Sequence, residues 1–181
     1  MARAFVAVVP DREVVASIAA EVATTRAELE RAELERVAPT RWVEPSQLHI
    51  TLAFLGDDAD LDDVAVRLAG FTVPAFVASL RGLGAFPRPR AARVLWMGVC
   101  DGRSEMAGAS AAIHARLGVQ PDQRFTPHLT LARSRVPRDL AAVIGREGRA
   151  IEWRISEIVL FESTLATSGS SHHAHLRIPL S

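Results

Sequence analysis

The sequence predicts an α+β protein of two similar lobes sharing one domain over residues 1–181. Strand-like and helix-like segments recur in two halves, and "HITLAFLG" from His49 and "HLTLAR" from His128 put one His-x-Thr-Leu strand in each half. No linker rich in Pro, Gly or Ser divides the chain. Six His, nine Thr and eighteen Leu in 181 residues give about 0.03 chance matches to the pattern, so two matches are a signal.

Ala4 to Val9 is apolar and β-branched and reads as a buried strand closed by Pro10 and Asp11. Asp11 then caps a long amphipathic helix, in which Val14, Val15, Ile18, Val22 and Leu29 keep helical spacing to near Val37, and Pro39 ends it. "RWV" and "QLHITLAFL" are extended, the second bounded by Gly56 and Asp57. Asp58 or Asp60 caps a short helix in "DDADLDDVAVRLAGF", and "VPAFVASLRGLGAF" and "RVLWMGV" are strands around a loop containing "PRPRAAR". Glu105 to Leu117 is helical, with Gly118 as its C-cap. "FTPHLTLAR" is the second motif strand, Asp139 to Gly145 a short helix, "IEWRISEIVLFES" one long strand and "HAHLRIPL" the closing one.

Basic and acidic residues balance at 21 each, which argues against a general polyanion binder, so any anion site is local. Every basic residue is Arg, suited to bidentate phosphate contacts. Cys100 is the single cysteine, which excludes an internal disulfide and a Cys-x-x-Cys site and fits a reducing cytoplasm. "MARAFVAVVP" runs into Asp11, Arg12 and Glu13 where a signal peptide would show a cleavage site, and no stretch approaches the ~20 apolar residues of a membrane helix. The expectation is a soluble cytoplasmic monomer.

Strand alternation places Gln47, His49, Thr51 and Ala53 on one face and Leu48, Ile50, Leu52 and Phe54 on the other. Thr126, His128 and Thr130 likewise oppose Pro127, Leu129 and Leu131. Two such strands facing each other make a polar cleft. Near pH 7 one imidazole can be neutral and the other protonated, dividing acid–base work, while the threonine hydroxyls donate to an anion between them. Phosphoryl transfer suits this, because attacking and leaving oxygens lie roughly in line across phosphorus. No metal is demanded, since the motifs supply at most two ligands. The acidic residues Asp57, Asp58, Asp60, Asp62 and Asp63 suit a helix N-terminus better than a Mg²⁺ site.

These residues resemble those of the 2H phosphoesterases, and within them the RNA 2',3'-cyclic phosphodiesterases, also called 2'-5' RNA ligases. Besides the two motifs, "RAFVAVVP", "RWVEPSQLHITLAFLG", "RVLWMGV" and "VLFESTLATSG" through "IPL" follow the family order over nearly the whole chain. The resemblance implies a bilobal fold with a central cleft, no cofactor, and hydrolysis of a terminal ribose 2',3'-cyclic phosphate to a 2'-phosphate, with 2',5' joining of RNA ends in some relatives. It implies RNA ends or nucleoside 2',3'-cyclic phosphates as partners. Carried over by position, His49 protonates the leaving 3'-oxygen, His128 activates water, Thr51 and Thr130 hold phosphate oxygens, and Arg133 adds a charge-assisted contact, although strand parity puts it opposite His128. Many relatives carry Tyr after the Gly of the closing segment, where this chain has "GSSHHAH", so His172 stands in for that ring.

Plainer readings accompany the rest. His173 and His175 fit an exposed edge strand better than a metal site, and His114 fits a structural role on its helix. Trp42 could stack a base or fill the core. Arg88, Arg90 and Arg93 could guide RNA or be solvated loop charges. Two rival functions remain open: a non-catalytic nucleotide- or RNA-binding module, and a phosphoesterase acting on another cyclic or 2',5'-linked phosphodiester.

Overall fold

The structure, a computed structural model, describes residues 3–31, 41–121, 124–146, 148–166 and 169–181. Strands β1 (Arg3–Val8), β3 (Ile50–Gly56), β8 (Glu157–Ala166) and β9 (Gly169–Pro179) form one sheet in the order β3-β1-β8-β9. Strands β2 (Arg41–Trp42), β4 (Phe76–Phe86), β5 (Ala92–Asp101), β6 (His128–Arg138) and β7 (Ile151–Ile155) form a second, in the order β2-β6-β5-β4-β7. All pairings are antiparallel. The α+β architecture with one motif strand in each sheet is therefore present.

Among the described residues three α-helices cover the sheets: α1 (Arg12–Arg31), α2 (Leu61–Leu68) and α3 (Arg103–Leu117). Asp11 Oδ1 caps α1 by accepting from the Glu13 and Val14 amides at 2.9 Å, and Asp60 caps α2 through the Asp62 and Asp63 amides. Gly118, at φ 65°, adopts the left-handed turn that closes α3. Met106, Ala109, Ile113 and Leu117 recur every three or four residues and are buried.

The helices cross between sheets. α1 follows β1 of the four-stranded sheet yet packs on β7 of the other, and α3 follows β5 of the five-stranded sheet yet packs beneath β3. Each lobe thus covers the other, and one apolar core runs through both, from Val6 and Ile50 to Leu80 and Leu95.

Two expected elements differ. "IEWRISEIVLFES" is two strands rather than one: β7 ends at Ile155, Ser156 intervenes, and β8 continues in the other sheet. Continuous apolar patterning hides that crossing. The segment Asp139 to Gly145 is a turn, not a helix; the Val143 and Ile144 amides reach Leu140 O, but Gly145 at φ 82° reverses the chain before a second turn forms. The expected end of the first helix, near Val37 and Pro39, lies outside the described residues. Among the described residues no helix is long and apolar enough to cross a membrane.

Candidate active site

Neither motif strand alternates strictly. Along β3, Ile50 faces Val8 and Thr51 faces Ala7, but Ala53 faces Val6, so Leu52 is an extra residue. Parity reverses there. Leu52 and Ala53 are both buried, and Phe54, expected on the apolar face, turns into the cleft opposite Phe5. β6 does the same at the same place in its motif: Leu129 faces Met97 and Thr130 faces Trp96, but Ala132 faces Leu95, leaving Leu131 extra. Leu131 and Ala132 are buried, and Arg133 joins Thr130 in the cleft, against the expectation from simple alternation.

Both irregular positions are held by their carbonyls. Leu131 O accepts the Val43 amide at 2.8 Å, extending the β2 pairing. β3 is an edge strand with no such neighbour, and there the buried Ser110 hydroxyl of α3 donates to Leu52 O at 2.6 Å.

The two histidines are fixed alike. His49 Nδ1 lies 2.7 Å from Gln47 O, and His128 Nδ1 lies 2.7 Å from Thr126 O. A carbonyl only accepts, so each Nδ1 carries the proton and each neutral ring keeps its lone pair on Nε2. No described residue engages either Nε2 or the hydroxyls of Thr51 and Thr130.

Burial pushes the His49 pKa down to about 4, opposed by the Gln47 carbonyl and reinforced by the charges of His172, Arg133 and His128. Burial and then the Arg133 charge lower His128 as well. Both shifts favour the neutral imidazole. An anionic phosphate beside them acts in the opposite direction and favours the charged form.

A cleft of about 440 Å³ is lined by His49, Thr51, Thr130, Arg133 and Trp42, five of the six residues that the sequence nominates. His128, the sixth, lies two residues before Thr130, its ring edge-on to Phe86 at 5.0 Å and 5.9 Å from Trp96, close enough that its charge acts on His49. Trp42 is half-buried, with the Arg26 guanidinium 5.3 Å from its ring centroid. His172 also lines the cleft, edge-on to His49 at 5.1 Å, and its amide donates to Gln47 Oε1 at 3.0 Å.

Sequence reasoning missed Phe5, Phe54, Arg3 and Arg41, which also line the walls. Phe54 was accessible in principle, because it stands five residues after His49 as Arg133 stands five after His128. Arg3 pairs with Asp57 at 2.8 Å and lies over the Phe54 ring at 5.2 Å.

Other nominated histidines lie elsewhere. His114 Nδ1 donates to Ser110 O at 2.8 Å along α3. His173 and His175 are exposed on the edge strand β9, where His175 Nε2 lies 3.4 Å from Asp62. Among the described residues, no group of three or more His, Cys, Asp or Glu is arranged to hold a metal.

A family model described as the 2'-5' RNA ligase superfamily matches residues 14–166. A relative from Aeropyrum pernix named RNA 2',3'-cyclic phosphodiesterase is 37% identical over 142 residues, covering 72% of this chain and 81% of its own. One of the same name from Methanothermobacter thermautotrophicus is 36% identical over 147 residues, covering 73% and 78%. The crystal structure of Escherichia coli LigT in its apo form superimposes with a TM-score of 0.77 at 22% identity, covering 99% of this chain and 98% of that one, a likeness of fold.

Proposed function

The chain belongs to the 2'-5' RNA ligase superfamily, and from that premise we propose that it is an RNA 2',3'-cyclic phosphodiesterase, one catalytic domain spanning residues 1–181. Its substrate is a terminal ribose 2',3'-cyclic phosphate on RNA or a nucleoside, and its product a 2'-phosphate. The observation that carries the reading is the pair of imidazoles whose Nδ1 atoms are both committed to backbone carbonyls at 2.7 Å, leaving two Nε2 atoms for one phosphate.

His128 Nε2 accepts a proton from water as the water oxygen attacks phosphorus. The P–O3' bond breaks on the opposite side, and His49 Nε2–H delivers its proton to O3'. The Thr51 and Thr130 hydroxyls donate to the non-bridging oxygens, and Arg133 adds a charge-assisted contact. For His49 to act as the acid, the bound phosphate must raise its pKa from about 4, which fits a cleft that also holds Arg3 and Arg41 to draw the anion in. Trp42 and Phe54 offer faces for a base. The cleft forms within one chain, so a monomer suffices, and the free thiol Cys100 fits the reducing cytoplasm.

The test is incubation with 2',3'-cyclic nucleotides in EDTA, followed by separation of 2'- from 3'-phosphate. Turnover to the 2'-phosphate, abolished in His49→Ala and His128→Ala, supports the reading; binding without turnover selects the non-catalytic module. A cyclic substrate with sulfur at the 3' position assigns the roles, because a thiolate leaves without protonation. His49→Ala then recovers activity and His128→Ala does not.

A further inference from the structure

We infer that the protein carries a single-strand RNA track outside the cleft, along Arg93 and Arg135 to Arg88 and Arg90, which holds the phosphates upstream of the reacting end. The inference rests on the proposed function for the position of that end. All 21 basic residues of the chain are arginines balanced by 21 carboxylates, so a stretch with guanidinium groups and no carboxylate partners is segregated charge.

The stretch adjoins the site through Phe86, which stands edge-on to the His128 ring at 5.0 Å and ends β4 two residues before Arg88. Arg133 lines the cleft and pairs across strands with Arg41 on one side and Val94 on the other. Arg93 precedes Val94, and its Nη1 donates to Arg135 O at 2.8 Å. Residues between Arg133 and Arg138 bulge out of the ladder, since Val94 pairs with Arg133 but Ala92 with Arg138, and this loop carries Arg135 to the surface beside Arg93. Arg88 and Arg90 follow on the turn that leads into β5, a turn tied to the next segment by the Leu140 amide on Pro89 O.

Arg88, Arg90, Arg93 and Arg135 are all exposed, and no described carboxylate pairs with any of them. Of the acids near them in sequence, Asp139 accepts the Ala141 amide in its own turn.

A chain ending in a 2',3'-cyclic phosphate can continue only in the 5' direction, so its remaining phosphates must leave the cleft over one rim. Guanidinium groups meet them as bidentate donors and stack on the unpaired bases between them. Adjacent strands are about 4.8 Å apart, so a run crossing β2, β6 and β5 and then following the turn is long enough for about two phosphates beyond the reacting one.

The experiment compares the wild type with Arg88→Ser/Arg90→Ser and with the quadruple variant that adds Arg93→Ser and Arg135→Ser. The substrates are a cyclic mononucleotide and a pentanucleotide ending in the cyclic phosphate. The quadruple variant is expected to lose about tenfold in kcat/KM on the pentanucleotide at low salt. Its log–log salt dependence becomes shallower by about 1.4, or about 0.7 for each of two phosphates. Mononucleotide turnover and melting temperature stay unchanged, and the double variant shows part of the same loss.

Equal effects on both substrates, or an unchanged salt slope, overturn the track. If the wild type turns over neither substrate, the cleft reading fails instead. Titration of the same variants with a labelled pentanucleotide ending in a 2'-phosphate then decides the track by its affinity and salt slope.

Discussion

Acidification should destabilise this protein through His49 before its carboxylates protonate. Holding the imidazole at about 4 instead of the ordinary 6.5 corresponds to about 3 kcal/mol between its neutral and charged forms. Above pH 6.5 the ring is neutral whether the chain is folded or not, and the contribution is fully present. As pH falls below 6.5 the unfolded chain takes up a proton that the fold refuses, and stability declines until the folded ring also protonates near pH 4. His128 and His172 are lowered by burial too and add in the same direction. Urea unfolding of the wild type and His49→Gln at pH 7.5, 5 and 4 isolates the single ring, because every other titrating group is common to both. The stability of wild type relative to variant should fall by about 2 kcal/mol between pH 7.5 and 5 and by about 3 kcal/mol in all. Parallel stability curves would mean that His49 is not desolvated, and the account of its low pKa would fail.

Ser110→Ala removes the donor to the Leu52 carbonyl and should cost about 1–3 kcal/mol in urea unfolding. It should lower kcat as well, because that contact holds the irregular strand that presents Thr51. Gly84→Ala drives a Cβ into the Trp96 ring, so the indole beside His128 must move; a loss of about 1–3 kcal/mol and of kcat is expected, with the shift visible in tryptophan fluorescence. Gln47→Glu keeps an acceptor for the His172 amide but sets a negative charge beside His49, which favours the imidazolium. The acid limb of kcat/KM should move to higher pH in Gln47→Glu and stay in place in Gln47→Leu, as measured by pH–rate profiles.

The motif strands and their pairing were legible because His-x-Thr-Leu is a local pattern that occurs twice, and the caps at Asp11, Asp60 and Gly118 were legible for the same reason. What alternation cannot encode is an inserted residue. The extra residues Leu52 and Leu131 are both apolar and both buried, so they look like ordinary core positions, yet each reverses the faces of the residues directly after it. That reversal hid Phe54 and made Arg133 look misdirected. The crossing at Ser156 was illegible for a related reason: Ile155 and Ile158 are both buried, but in different sheets, and hydrophobicity does not say which partner buries it. Arg3 and Arg41 join the cleft from strands distant in sequence, and only the closed fold brings them together.

The near-symmetry of the site raises a problem that its asymmetry resolves. Two alike imidazoles and two alike hydroxyls, in the roles proposed above, would accept a cyclic phosphate with either O3' or O2' set against His49. One orientation sets O3' against His49 and yields the 2'-phosphate; the other sets O2' there and yields the 3'-phosphate. The reacting groups cannot choose between them, so the choice falls to groups that break the symmetry. The chain supplies these at equivalent places: Phe54 where the other motif has Arg133, and Ala7 opposite Thr51 where Trp96 is opposite Thr130. An aromatic face suits a base and a guanidinium suits a phosphate, so in the proposed reaction these two walls would set which way round the nucleotide docks. On this reading the repeated strand pattern supplies the proposed acid–base pair, and the unlike residues five positions after each histidine, Phe54 and Arg133, give it a direction.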